Sequence, residues 1–165
     1  MNLQFVIELL DKLHKREKFD CGEQSLNDFL HRFARQNSEK SFGRTFVATL
    51  PDEKDVLGYY TISSGSISFE IVPEKLPRYP IPTVHLGRLA TDLQMRGQGL
   101  GELLLIDALE RTVLVAAELR IYAVELYALT DKAKRFYLKY GFLELKDDEK
   151  HLYLPIETLK KSGLI

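Results

Sequence analysis

Between the β-forming stretch "TVHLGRLA" (residues 83–90) and the leucine-dense run Leu100–Glu118, the chain reads "RGQGLG", Arg96 to Gly101. Strand, glycine turn and helix in series restrict the fold more than any other feature. A Cβ excludes the left-handed backbone and the close approach that such a turn uses; glycine permits both. The order sets unencumbered N–H groups at a helix N-terminus, where the dipole favours an anion. The turn therefore suits a phosphate or pyrophosphate. Gly97, Gly99 and Gly101 give G-x-G-x-G, which lacks the last interval of the dinucleotide fingerprint, and no G-x-x-x-x-G-K-[ST] occurs. The acidic residue expected about 20 positions on is missing too, since residue 121 is Ile121. Nicotinamide and nucleoside triphosphate readings both weaken.

The flanking elements point to an α/β protein. Residues 5–10, "FVIELL", suit a strand and the start of a helix equally. In "GEQSLNDFLHRFARQN" the residues Leu26, Phe29, Leu30 and Phe33 fall at i, i+3, i+4 and i+7, which predicts one apolar helix face with Arg32 and Arg35 off it. "GRTFVATL" and "VLGYYTISSGSI" read as strands joined through "PDEKD". The prolines of "PEKLPRYPIP" predict a surface loop. "LRIYAVELYAL" is a further strand, and "TDKAKRFYLKYGF" a short helix capped at Gly141. Two short strands near 142–145 and 151–154 and a terminal helix complete the chain. Strands and helices alternate in the second half, so a mixed α/β sheet is expected. No linker interrupts the 165 residues, and the span 1–165 reads as a single domain.

Composition excludes several function classes. Hydrophobic residues at 45% and charged residues at 28% exclude a disordered or fibrous chain. Asp107, Glu110 and Arg111 interrupt the apolar run, so no stretch offers the roughly 20 apolar residues of a membrane span. The N-terminus shows no basic region or small-residue cleavage site. A cytoplasmic protein without a membrane partner is expected. The lone Cys21 cannot form an internal disulfide, and His14, His31, His85 and His151 are dispersed without zinc-site spacing. No metal is expected. A formal net charge of -1 hides basic segments: residues 31–44 carry Arg32, Arg35, Lys40 and Arg44 against Glu39. Residues 131–140 carry Lys132, Lys134, Arg135 and Lys139 against Asp131. Overall neutrality thus leaves a polyanion partner open.

Written as Arg96-x-x-Gly99-x-Gly101, after a strand and before a long apolar helix, the turn resembles the acyl-CoA pyrophosphate loop of the GNAT superfamily of N-acetyltransferases. "AKRFYLKYGF" resembles the later signature of that superfamily, A-x-x-F-Y-x-x-x-G-F, through Ala133, Phe136, Tyr137, Gly141 and Phe142. "FDCGEQSLNDFLHRFARQN", "GYYTISSGSI", "LPRYPIP" and "LGRLATD" are similar to one branch, the toxins of bacterial toxin–antitoxin pairs that acetylate the amino group of aminoacyl-tRNA. The resemblance runs from Phe19 to Leu154 and implies an α/β GNAT fold, a mixed central β-sheet flanked by helices in a single domain. It implies acetyl-CoA as cosubstrate, with backbone amides of Leu89, Ala90 and Thr91 on the thioester and pantetheine. Amides of Arg96, Gly97, Gln98, Gly99, Leu100, Gly101 and Glu102 would hold the pyrophosphate. Tyr137 matches the general acid toward the departing thiolate. The implied partners are aminoacyl-tRNA, a ribbon-helix-helix antitoxin, and promoter DNA reached through the antitoxin; homodimerisation stays open.

Acyl transfer to an amine needs an oxyanion donor, a proton source near sulfur and a route for the amine's proton. Ala133, Phe136, Tyr137 and Tyr140 share one helical face. Tyr140 reads as structural, and without the motif Tyr137 would as well. Glu125 and Asp92 are available as bases, but no motif assigns either, and both read equally as solvated charges. An α-amine titrates near 8, against about 10.4 for lysine, and esterifying the adjacent carboxyl lowers it further. A missing base therefore favours an aminoacyl ester. Lys132, Arg135 and Lys139 at i, i+3 and i+7, together with Arg32, Arg35, Arg78 and Arg88, suit tRNA phosphates and equally suit solvated surfaces. "SSGS" (63–66) lacks the G-x-S-x-G elbow of a hydrolase. Two rival readings are the same fold acting on a small-molecule amine or protein N-terminus, and a non-enzymatic CoA- or RNA-binding module.

Overall fold

The computed structural model describes residues 4–165; the first three residues of the expected 1–165 span lie outside the described residues. Val6–Leu9 forms strand β1, so the ambiguous opening segment is extended, with Val6 opposite Thr49 and Leu9 opposite Phe46. The two β-rich stretches become β2 (Arg44–Thr49) and β3 (Gly58–Ile67), antiparallel about the expected connection. Strand β4 (Ile81–Thr91) leads through the glycine turn into helix α3 (Leu100–Glu118) and then β5 (Ala123–Tyr127). β4 and β5 pair in parallel, which requires a long crossover, and α3 supplies it. Helix α4 (Asp131–Lys139), β6 (Leu143–Glu144), β7 (His151–Pro155) and helix α5 (Ile156–Lys161) follow. The strands make a mixed sheet in the order β1-β2-β3-β4-β5-β7-β6.

Cα packing divides the chain into two units. The first runs up to Ser63 and takes in Arg88–Ala108. Leu30, Val47 and Tyr59 are fully buried at its core, and each large apolar side chain so buried contributes about 1.5–3 kcal/mol. Tyr59 stacks on Phe29, meets Phe19 edge-on, and donates its hydroxyl to the Leu26 carbonyl at 2.7 Å. The expected first helix is broken into α1 (Gln24–Asp28), a π turn (Phe29–Phe33) and α2 (Ala34–Glu39). Phe33, expected in the core, is 47% exposed, and Ala34 is buried in its stead. The Ala34 N–H reaches the Phe29 carbonyl, an i→i+5 bond. The extra residue in that turn shifts the following positions out of α-helical phase.

The second unit comprises Ser64–Gly87 and Leu109–Ile165, with Ile67, Val72, Ile81, Ala123, Leu145 and Tyr153 as its core. The proline segment is a largely exposed loop up to Pro80, and its last two residues, Ile81 and Pro82, begin β4. A missing N–H is tolerated near the beginning of a strand, and the Pro82 carbonyl accepts from Tyr122 at 2.9 Å. Glu74 ties the loop down by accepting from the hydroxyls of Tyr122 (2.5 Å) and Tyr153 (3.2 Å). In α4 the Thr130 hydroxyl caps the Ala133 N–H at 3.1 Å, and Gly141 follows with φ +97°, as the sequence predicts. Among the described residues no helix is long and apolar enough to cross a membrane.

Candidate active site

The glycine turn is anchored by Asp92. Its carboxylate accepts from Gln94 N–H at 2.9 Å and from Asp20 N–H at 3.1 Å. A side chain 9% exposed and engaged in this way is a turn-forming cap, so the reading of Asp92 as a solvated charge is corrected. Gly97 and Gly99 both take φ +78°, and a Cβ built on either meets nothing within 4 Å. Glycine is required here for backbone conformation rather than for room. The first α3 bond runs from Leu103 N–H to the Gly99 carbonyl at 3.1 Å. Among the described residues no backbone carbonyl accepts from Gly97, Gly99, Leu100, Gly101 or Glu102 N–H. These donors gather at the positive end of a 19-residue helix dipole, and they fit a diphosphate such as that of coenzyme A. Arg96, Gln98 and Glu102 are exposed around the turn, and Leu100 is buried beneath it.

Leu89, Ala90 and Thr91 end β4. The parallel ladder to β5 stops earlier, at His85 opposite Glu125, so this part of β4 lies beyond the last rung. In the second unit, Tyr137 projects from the buried face of α4, its ring 5.2 Å from Phe136 and 5.5 Å from Phe142. Burial pushes the phenol well above its ordinary pKa, which keeps it protonated at neutral pH. Its hydroxyl has no hydrogen-bond partner among the described residues, yet it is not among the fully occluded unpartnered atoms. The ring is buried, and its oxygen keeps an open side.

A cluster that sequence reasoning missed lies in the same unit. Glu125, left open between an available base and a solvated charge, is only 4% exposed, which corrects the second reading. One of its carboxylate oxygens meets His85 Nδ1, and the other meets His151 Nε2 at 2.5 Å. His151 Nδ1 continues to the Asp147 carboxylate at 2.9 Å, and the Tyr127 ring stacks on the His151 imidazole at 3.9 Å. Burial raises the Glu125 carboxyl, but hydrogen bonds and charge from His85 and His151 outweigh it, so it titrates below the ordinary glutamate range. These groups belong to β4, β5, β7 and the turn before β7, which no local spacing could link. The one available signal was a glutamate inside the otherwise apolar strand "AVELY".

The basic candidates are scattered over several elements. Lys132, Arg135 and Lys139 are all exposed on α4, with Lys139 Nζ 5.3 Å from the Tyr140 ring centroid. Arg32 is exposed on the π turn, and Arg35 pairs with Glu39 at 3.5 Å. Arg78 is exposed in the proline loop. Arg88 lays its guanidinium 3.7 Å from the centre of the Phe29 ring.

Against known proteins, the model of the acetyltransferase (GNAT) domain family matches residues 17–155. A tRNA-acetylating toxin of Mycobacterium tuberculosis is 37% identical over 145 residues, covering 86% of each chain. The crystal structure of a tyrosine-to-phenylalanine mutant of KacT superposes with a TM-score of 0.91 at 30% identity, covering 96% of this chain and 99% of that one. AtaT complexed with acetyl-methionyl-tRNAfMet gives 0.87 at 32% identity, covering 95% and 98%. AtaTR bound with AcCoA (32% identical, TM-score 0.83), a mutant of the toxin AtaT bound to the C-terminus of its antitoxin AtaR (29%, 0.83) and a KacTA–DNA complex (31%, 0.84) are similar over at least 94% of this chain.

Proposed function

The chain belongs to the GNAT acetyltransferase family, and from that premise we propose that it moves acetyl from acetyl-CoA to the α-amino group of aminoacyl-tRNA, as the translation-blocking toxin of a toxin–antitoxin pair. The observation that carries this reading is a family match that spans both the donor-rich turn at α3 and the α4 signature with its protonated phenol. Likeness to a tRNA-acetylating toxin narrows the acceptor. The span 1–165 reads as a single acetyltransferase domain.

Acetyl-CoA supplies an acyl group activated as a thioester. The amides of Gly97, Gly99, Leu100, Gly101 and Glu102, with Arg96 and Gln98 beside them, hold its diphosphate. Leu89, Ala90 and Thr91 align the pantetheine arm and thioester along β4. Tyr137 gives its proton to the departing sulfur, a role suited to a phenol that stays loaded at neutral pH. Lys132, Arg135 and Lys139 on α4, with Arg32, Arg35 and Arg78, take tRNA phosphates. Arg88 is stacked by its face and retains N–H edges for one more phosphate. A ribbon-helix-helix antitoxin covers this machinery, promoter DNA is reached through it, and the tRNA substrate places the reaction in the cytoplasm.

The test combines purified protein, labelled acetyl-CoA and charged tRNA. Label recovered as N-acetylaminoacyl-tRNA is the expected result. Label found only on polyamines or protein N-termini would overturn the acceptor in favour of a related acetyltransferase.

A further inference from the structure

An amine that attacks a thioester must lose a proton, and neither the donor-rich turn nor the Tyr137 phenol can take one. We infer that the His85 imidazole is the base that receives this proton, held in position by a side-chain chain running from Glu125 through His151 to Asp147. The inference rests on the acetyl-transfer reading above and deepens it.

Hydrogen bonding fixes which His85 nitrogen is available. Glu125 stays ionised and can only accept, so His85 Nδ1 must carry the hydrogen of their shared bond. In the neutral ring that leaves Nε2 with a free lone pair, and Nε2 has no partner among the described residues. The His85 side chain is 33% exposed, whereas those of Glu125 and His151 are 6% and 4% exposed. Of the two ends of the chain, His85 at 33% and Asp147 at 34% exposed, His85 is the one that offers a nitrogen lone pair. Both His151 nitrogens face carboxylates, Glu125 and Asp147, which fix the ring between them. A proton arriving on His85 is met by the Glu125 carboxylate on its other nitrogen. The charged groups around the path are Glu125 on β5, His151 on β7, and Asp147 and Asp148 before it; both aspartates also act on Tyr127, which covers His151.

Placement agrees with this role. His85 occupies the last rung of the β4–β5 ladder, and β4 is the strand whose residues 89–91 the family resemblance assigns to the thioester. Position 87, next on the same side by the two-residue period, is an exposed glycine that adds no side chain over the ring. A second observation marks the cluster as more than a packed ion pair. Thr83 Oγ1 is fully buried without a partner. It lies 2.9 Å from where a Cβ on Gly65 would stand, with His85 Cβ at 3.3 Å and a Glu125 oxygen at 3.7 Å from that point. Gly65 thus keeps polar space open against the cluster.

In the step itself the amine lone pair forms the C–N bond, and the N–H proton moves to His85 Nε2. The C–S bond breaks with its electron pair going to sulfur, which takes the Tyr137 proton. Solvent then removes the proton from His85 and restores that of Tyr137.

Single-turnover acetylation of charged tRNA tests the assignment. His85→Gln should slow transfer by about 100-fold or more with unchanged acetyl-CoA affinity, and added imidazole should restore the rate of His85→Ala in proportion to its concentration. Glu125→Gln and Gly65→Ala are positioning variants: each should lower kcat more than it alters KM and abolish the low-field Nδ1–H proton resonance of His85. An active wild type whose rate survives His85→Gln, or a His85→Ala protein that folds but ignores imidazole, overturns the base alone. A wild type inert toward charged tRNA overturns the acceptor and this inference with it.

Discussion

At the start of α3 the N–H groups of Gly97, Gly99, Leu100, Gly101 and Glu102 have no backbone acceptor among the described residues, whereas around Glu125 both carboxylate oxygens and both nitrogens of His151 are engaged. The turn is open to an incoming anion. The Glu125–His151 pair is closed, and each satisfies the other away from solvent. Unmet donors at an exposed helix end cost the fold little and offer much to an anion. Buried charges cost heavily once a partner is removed. Substitutions in the turn should therefore weaken ligand binding and spare stability, and substitutions in the cluster should do the reverse.

The largest expected effect comes from Glu125→Leu, which leaves two imidazoles without their shared counterion. Breaking a buried pair in this way costs about 3–5 kcal/mol, read as a shift in the urea midpoint. Its pH dependence follows from the depressed carboxyl. The stabilisation is complete above the ordinary glutamate value near 4.3 and is lost as pH falls through the lower folded value. The gap between wild type and variant should close on acidification; equal gaps at neutral and strongly acid pH would break the contrast.

Next comes Tyr137→Phe. The hydroxyl makes no hydrogen bond among the described residues, so its removal should leave stability and acetyl-CoA affinity nearly unchanged. Transfer should nonetheless fall by about 100-fold, or roughly 2.7 kcal/mol, in rapid-quench kinetics. Reduced stability with an intact rate would return Tyr137 to a packing role.

Gly99→Ala follows, with a smaller effect confined to the turn. No atom would collide with the added methyl, so the whole penalty is conformational, about 1–2 kcal/mol for a left-handed alanine. If the turn relaxes to escape that strain, its donors lose their alignment, and calorimetry should find acetyl-CoA bound roughly 10-fold more weakly. Unaltered affinity would mean that the diphosphate is held elsewhere.

The same contrast explains what can be read from sequence. The turn is contiguous and its geometry follows from glycine, so Arg96–Gly101 is legible; α4 carries its Thr130 cap, its apolar face and Gly141 within one short window. Phe33 departs from its expected burial because α-helical period does not carry through a π turn that no residue announces. Pro82 reads as loop because the start of a strand tolerates proline as well as a loop does. His85, Glu125 and His151 read as dispersed because strand register, not sequence spacing, brings them together.

The smallest effects are expected on α4, whose outer side handles charge in a third way, with solvated cations that neither bind backbone nor fill a buried network. Lys132, Arg135 and Lys139 are all exposed there, so replacing any one with Gln should leave stability within about 0.5 kcal/mol. A cation that neutralises a phosphate releases a counterion, so each cation removed should flatten the plot of log affinity against log salt by about 0.7–0.9. The triple variant should thus bind charged tRNA more weakly at low salt, converge on wild type as salt rises, and hold acetyl-CoA as before. Filter binding over a salt series reads both slope and affinity. An unchanged slope would make the α4 stripe an ordinary wet helix face and move the RNA contact onto Arg32, Arg35 and Arg78, where the same substitutions and the same plot apply.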